Sequence, residues 1–239
     1  MATTPQEPQN GQVNRRKLLS FAGIGSLLAL AGGVVYKHFS ATSAVKVESF
    51  MTSGSGRKKN ILVLTGSGRK QGNSDLLAEA FVKGALEASH NVKVFHSGRE
   101  PMQACRHCGG CWSRGKPCVI DDSFEKLFPW LEQAELLVFC SPLYWYNFSG
   151  HIKCAMDRMY PYSQKNRLRD MQVRETMLLM CGQSHFLRSF AGPAEAYRQM
   201  IGYKHWNDRG RLFVTGVDEY GEIVKDKALV TAEEMGRNA

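Results

Sequence analysis

Acidic side chains are in short supply: 22 Asp and Glu stand against 31 Lys and Arg in a chain of 239 residues, leaving a net charge of +9. No run or helix face gathers the basic residues, and without that footprint nucleic acid is excluded as a partner. The diffuse excess suits anionic small ligands such as phosphates, or an anionic surface. No segment repeats itself, which excludes solenoids and propellers. Glycine and proline, 23 and 8 in number, are too few and too aperiodic for a collagen-like or disordered chain. The Walker pattern Gly-x4-Gly-Lys-Ser/Thr is missing, and so is Gly-x-Gly-x-x-Gly. What remains is a globular composition, 43% hydrophobic and 22% charged, long enough for one α/β domain with extra segments.

Those extra segments lie at the start. Residues 1–14 are polar and without apolar period; Asn14-Arg15-Arg16-Lys17-Leu18-Leu19 follows, and Leu18–Tyr36 carries no charge. A positive stretch before a moderately apolar one is the layout of a secretory signal. The paired arginines ahead of Leu18-Leu19 resemble the twin-arginine signal. That resemblance implies the twin-arginine export machinery as a partner, a chain folded before transport, and a destination in the periplasm or on the outer face of the cytoplasmic membrane. Two fates stay open. Small residues before Val45 allow cleavage after Ala44, whereas 19 uncharged residues match the roughly 17–25 of a membrane anchor, although four glycines lower their hydrophobicity. The organisation read from the sequence is a signal over 1–44, a Ser/Thr/Gly/Lys-rich linker over 45–59, and a domain over 60–239.

From Asn60 onward, strand-like and helix-like units alternate. Short apolar runs at Asn60–Thr65, Asn91–Phe95, Glu135–Cys140, Glu175–Cys181 and Arg211–Val217 read as five strands, the first fit to be buried on both faces. Ser74–Ser89 carries a helical stripe of Leu77, Ala80, Phe81, Gly84 and Ala88. Asp122 with Glu125 reads as a capping box, and Ser149 as the cap of a helix with Ile152, Ala155, Met156 and Met159 inward. The expected architecture is an α/β fold, a doubly wound five-stranded parallel sheet with its ligand at the carboxyl ends of the strands.

Three polar loops fall at that edge. The first, Gly66-Ser67-Gly68-Arg69-Lys70-Gln71-Gly72-Asn73-Ser74, runs from strand into helix. Glycines let backbone N–H groups turn inward, the helix start adds its positive dipole, and Arg69 can fork onto a phosphate; an ordinary Gly-rich turn is the alternative. The second, Ser141-Pro142-Leu143-Tyr144-Trp145-Tyr146-Asn147-Phe148-Ser149-Gly150, gathers four aromatics. Exposed aromatics ask for a flat partner such as a flavin ring, or for a lid or dimer role. The third is Cys181-Gly182-Gln183-Ser184-His185.

The ordered string Gly-Ser-x-Arg-x-x-Gly-Asn-Ser, then Ser-Pro-Leu-Tyr-Trp-Tyr-Asn-Phe-Ser-Gly-x-Ile-Lys-x-x-x-Asp-Arg, resembles the NAD(P)H-dependent FMN reductase family, over about Asn60 to Val217. The resemblance implies a flavodoxin-like fold and FMN as cofactor. Its phosphate falls to Ser67, Arg69, Asn73 and Ser74. Its ribityl chain and ring fall to Pro142, Leu143, Tyr144, Trp145, Tyr146 and Asn147, with Gly182 and Gln183 at the same edge. It further implies a homodimer or higher, the partner chain helping to close the flavin site. Lys153, Asp157 and Arg158 also match, but a purely structural role is a strong alternative for them, Lys153 and Asp157 being simply an i,i+4 pair on one helix.

Four of the seven cysteines fall at Cys105-x2-Cys108-x2-Cys111-x6-Cys118. Thiolates at this spacing around Gly109 and Gly110 can converge on one inorganic centre, and the run lies close to those of bacterial iron–sulfur proteins. It resembles the compact motif of iron–sulfur flavoproteins, a branch of the same family, and so implies a [4Fe–4S] cluster near FMN passing single electrons. Zinc, disulfides and free thiols remain open readings of the same spacing. Cys140, Cys154 and Cys181 sit in apolar runs and read as small buried hydrophobes. The expected function is an FMN-dependent oxidoreductase that passes electrons from NAD(P)H or another donor to a small-molecule or protein acceptor such as a quinone. A flavodoxin-like electron carrier, or a non-catalytic FMN-binding module, is the alternative. Because flavin would do the chemistry, no catalytic acid or base is assigned.

Overall fold

The computed structural model describes residues 45–48, as backbone, and 56–239. The signal read over 1–44 lies outside the described residues. Among them no helix is long and apolar enough to cross a membrane.

Six strands form one sheet: β1 (Val45–Glu48), β2 (Asn60–Thr65), β3 (Asn91–His96), β4 (Leu136–Pro142), β5 (Glu175–Gly182) and β6 (Asn207–Thr215), in the order β1-β6-β5-β4-β2-β3. The last five pair in parallel, as expected from their short apolar runs. The sixth strand was not expected. β1 lies within the stretch read as a linker and pairs antiparallel with β6, Val45 opposite Val214. Its Val-Lys-Val-Glu alternation is too short to stand out in sequence, and only an unpaired edge makes it a strand.

Helices α1 (Asn73–Glu87), α2 (Phe124–Gln133), α3 (Gly150–Asp157), α4 (Ala191–Lys204) and α5 (Ala228–Arg237) cover the two faces. Alternation along each strand divides the core. Ile61, Val63, Val138 and Leu179 face Leu77 and Phe81 of α1 and Ala232 and Met235 of α5. Leu62, Leu64, Phe139 and Leu178 face Leu127 of α2, Ile152 of α3 and Tyr197 of α4. Nearly every residue of β2, β4 and β5 is buried, so these strands carry apolar side chains on both sides. The sheet reverses its winding between β2 and β4, where the connections leave in opposite directions and open a crevice at the carboxyl ends.

Ser149 caps α3, its hydroxyl accepting from Ile152 N at 3.4 Å. The capping box expected at Asp122 is only half made. Asp122 accepts from Phe124 N at 3.0 Å, while the Glu125 carboxylate is taken by Lys116 instead of reaching back.

Candidate functional site

A cleft of about 470 Å³ opens at the carboxyl ends of β2, β4, β5 and β6. Ser67, Arg69, Asn73, Ser74, Pro142, Leu143, Tyr144, Trp145, Gly182 and Gln183 line it, so the structure brings ten of the twelve residues expected there to one place. Tyr146 and Asn147 are not in its wall. Gly72 and Cys181, from the first and third loops, also line the cleft, as do Val217 and Asp218; the last two were not foreseen, because Val217 reads in sequence as the end of a strand and no ordered motif marks the residues after it. The loops are laced together by their backbones. Leu143 N donates to Cys181 O at 2.8 Å and Val217 N to Gly182 O at 3.1 Å, while the Ser149 hydroxyl donates to Gly66 O at 2.7 Å.

One end of the cleft gathers the start of α1 and the Arg69 side chain. Gly72 precedes α1 with an extended backbone and supplies no side-chain cap, so the first N–H groups of the helix keep their capacity for a ligand. The Ser67 hydroxyl accepts from Arg69 N at 3.1 Å and shapes the turn. Arg69 is exposed, and among the described residues no acidic partner holds its guanidinium. Asn73 departs from expectation. Its amide donates to Glu219 O at 2.9 Å and accepts from Ile223 N at 3.2 Å, tying α1 to the segment after β6. What Asn73 offers the cleft is therefore its backbone. Two glycines permit these approaches. A Cβ on Gly66 would lie 2.5 Å from the Ser149 hydroxyl, and one on Gly98 would lie 2.3 Å from the backbone of Ser67.

A buried polar cluster backs this end of the cleft. Asp75, in the first turn of α1, accepts from Arg99 Nη1 at 2.8 Å and from Gln71 N at 3.2 Å. Both Thr65 Oγ1 and the Arg99 guanidinium meet Nδ1 of His96, which assigns the proton of the neutral ring to Nε2. Burial first, and then the Arg99 cation, hold His96 below the usual histidine range.

The other end is aromatic. Tyr144 N donates to Asn147 O at 3.0 Å and Asn147 N to Tyr144 O at 2.9 Å. Between them Trp145 and Tyr146 take left-handed backbones, with φ of 47° and 60°. Both central residues at positive φ make a tight turn of the hairpin type that asparagine and glycine ordinarily fill, so this conformation is strained for aromatic residues. It holds Trp145 outward, 94% exposed, with Tyr146 at 64% beside it. Asn147 bonds its own loop, its side chain accepting from Phe148 N at 2.8 Å. Lys153 and Asp157 form an exposed i,i+4 pair at 2.5 Å.

The four clustered cysteines form a second locus between β3 and α2. All four line one cavity of about 100 Å³, Cys105 and Cys108 exposed, Cys111 and Cys118 half-buried, none in a disulfide. Left-handed backbones at His107 and Gly109 curl the chain between them. Burial pushes the Cys111 thiol up, and Cys118, Cys105 and Cys108 add to the shift, so the four sulfurs are electrostatic neighbours. Among the described residues no three His, Cys, Asp or Glu gather round one ion-sized point. A single zinc ion, with Zn–S near 2.3 Å, needs that gathering. A four-iron cluster takes each thiolate on its own iron and tolerates a wider ring. The donor set, four free thiols around one cavity, fits the cluster in kind. Cys140 and Cys181 are buried in the sheet, and burial pushes Cys181 up to about 12; both behave as apolar residues. Cys154 is half-buried.

A family model described as NADPH-dependent FMN reductase matches residues 59–191. An iron–sulfur flavoprotein of Archaeoglobus fulgidus is 29% identical over 106 residues, 44% of this chain and 48% of its own; the chain spans about half the length of that relative. YwqN of Bacillus subtilis, whose name describes an NAD(P)H-dependent FMN-containing oxidoreductase, is 29% identical over 72% of this chain and 93% of its own. Among solved structures, an NAD(P)H:quinone oxidoreductase from Methanothermobacter marburgensis superposes with a TM-score of 0.61 at 19% identity, covering 76% of this chain and 97% of that one. The last likeness bears on the fold alone.

Proposed function

Because the chain belongs to the NADPH-dependent FMN reductase family, we propose that it is an FMN-dependent oxidoreductase that moves electrons from NAD(P)H or another donor to a quinone-type acceptor. The observation that carries this reading is the two-ended cleft: an uncapped helix start with an unpaired Arg69 at one end, and exposed Tyr144 and Trp145 at the other. A phosphate fits the first and a flat ring the second. Bound there, FMN would supply hydride and single-electron chemistry, and an iron–sulfur cluster on Cys105, Cys108, Cys111 and Cys118 would add one-electron transfer.

The protein's own part is binding and orientation. Arg69 and the first turn of α1 neutralise and direct a phosphate. Gly182 and Gln183 would offer backbone groups to the polar edge of the ring, and Pro142 and Leu143 would give it apolar contact in the cleft they line. A nicotinamide ring would stack directly on the flavin in the open side of the cleft. A homodimer would close that side over the exposed aromatics. The twin-arginine reading of 1–44 places this activity outside the cytoplasm, with the folded chain loaded before export.

The decisive measurement is on anaerobically purified protein: its absorption spectrum, its flavin, iron and sulfide content, and its oxidation of NAD(P)H with and without a quinone. Flavin bands, about four irons per chain and quinone-stimulated turnover are expected. Colourless protein that takes up no FMN would overturn the flavin reading. Flavin without nicotinamide oxidation would make the chain a carrier.

A further inference from the structure

Arg158 follows directly on α3 and is 1% exposed. A buried guanidinium is unfavourable unless its charge is paired and its donors are met. Most of its donors are. Nη1 donates to Asp122 Oδ2 at 2.6 Å and to Gln103 O at 3.3 Å, and Nη2 donates to Ile120 O at 3.2 Å. The plane lies over the Phe124 ring, 4.5 Å from its centroid. Nε is the guanidinium nitrogen without a partner among the described residues, and it is buried. The side chain lines the same small cavity as the four cysteines.

These contacts have a pattern. Gln103 stands two residues before Cys105, and Ile120 two residues after Cys118. Asp122 also accepts from Gln103 N at 2.8 Å. One arginine thus clamps both ends of the cysteine loop, and its Nε–H meets no acceptor among the described residues. An orphaned N–H at the wall of a thiol-lined cavity calls for an anionic acceptor inside it.

We propose that Arg158 is the positioning residue of the cysteine cavity, holding the loop ends with two nitrogens and directing Nε–H and its charge at the sulfurs of a four-iron cluster. The inference rests on the cluster reading above. Four thiolates on such a core make an anionic centre, and one-electron reduction adds one negative charge with no bond made or broken. A fixed cation and a hydrogen bond to sulfur stabilise the reduced form more than the oxidised one, since net charge and hydrogen bonding to sulfur set cluster potentials. Asp122 opposes this by offsetting part of the guanidinium charge. The two members of the ion pair should therefore move the reduction equilibrium in opposite directions.

The test is a dithionite redox titration of the anaerobic holoprotein, followed by electron paramagnetic resonance. Arg158→Gln is expected to lower the reduction constant at least about tenfold, about 59 mV for one electron, and Asp122→Asn to raise it. Mere loosening of the loop would move both the same way or neither. Should Arg158→Gln fail to hold iron, Asp122→Asn still reports the sign. Pulsed resonance on wild-type protein labelled with 15N-arginine should also find one nitrogen coupled to the reduced cluster. Unmoved or same-sign potentials, or absence of that coupling in iron-loaded protein, would refute the role of Arg158 while leaving the cluster standing. A wild-type protein that binds no iron even after reconstitution would remove the cluster and this inference together.

Discussion

Replacing Arg69 with alanine separates the phosphate from the rest of the ligand. Two unit charges about 4 Å apart attract by about 1 kcal/mol in water and about 4 kcal/mol at an effective dielectric of 20. Arg69 is exposed at the rim of the cleft, which places its contribution in the lower part of that span, near the 1.5–3 kcal/mol of a charge-assisted hydrogen bond. FMN should therefore bind about 10- to 150-fold more weakly to the variant. Riboflavin, which has the same ring and ribityl chain without phosphate, should be unaffected. Titration of flavin fluorescence at low salt measures both, and the difference should shrink as salt screens the exposed charge. Asn73→Ala is the contrasting variant. It removes two bonds to the segment after β6, each contributing about 0.5–1.5 kcal/mol, so it should lower the melting temperature by a few degrees and weaken both ligands alike. Equal losses of FMN and riboflavin in Arg69→Ala would refute the assignment of this loop to phosphate.

Cys108→Ser should abolish or destabilise iron binding and leave FMN content unchanged, because the cysteine loop follows β3 and the anion loop follows β2; loss of flavin and iron together in correctly folded protein would contradict two separate loci. Arg15→Lys with Arg16→Lys should strand the protein in the cytoplasm while FMN still binds, and normal export measured by fractionation would reassign the segment to the general route or to an anchor. Acid should destabilise the fold in two stages. The neutral form of His96 is favoured by its surroundings, so stability falls as pH drops below about 6.5, where the unfolded histidine takes up its proton. For Glu175, burial pushes the carboxyl up, but Lys59 and Arg209 outweigh it and leave a net downward shift; that stabilisation is present above about pH 4.3 and disappears as pH falls through the folded value. Urea midpoints between about pH 2 and 8 should show both stages, with His96→Gln shrinking the first; midpoints flat from pH 8 to 5 would count against the His96 network.

Local signals were legible and distant pairings were not. Runs such as Asn60–Thr65 and Glu175–Gly182 announce buried parallel strands because apolar residues fill both faces. The cleft could be read because its loops carry their chemistry in consecutive residues. Asn73 shows the limit. In sequence it is a phosphate-loop donor, and in the structure its side chain serves a backbone segment about 150 residues away. Arg158 is similar: its burial depends on Asp122, 36 residues earlier, and no spacing rule links the two. β1 escaped notice because four residues of alternation do not make a strand until an edge is there to receive them. Val217 and Asp218 reach the cleft only because β6 ends beside β5.

The clamp made by Arg158 has a consequence for the order of assembly. The cysteines leave the ribosome before β4 and α3, and the residue that ties their flanks together comes 40 positions after the last of them. Until α3 has packed against the sheet, the loop is long and its closure is entropically opposed. Local turns at His107 and Gly109 bring neighbouring thiols towards one another, but the clamp on the flanks of the loop is a product of tertiary folding. A nascent chain would meet iron, or oxidant, with its thiols close in sequence but their flanks not yet clamped by Arg158.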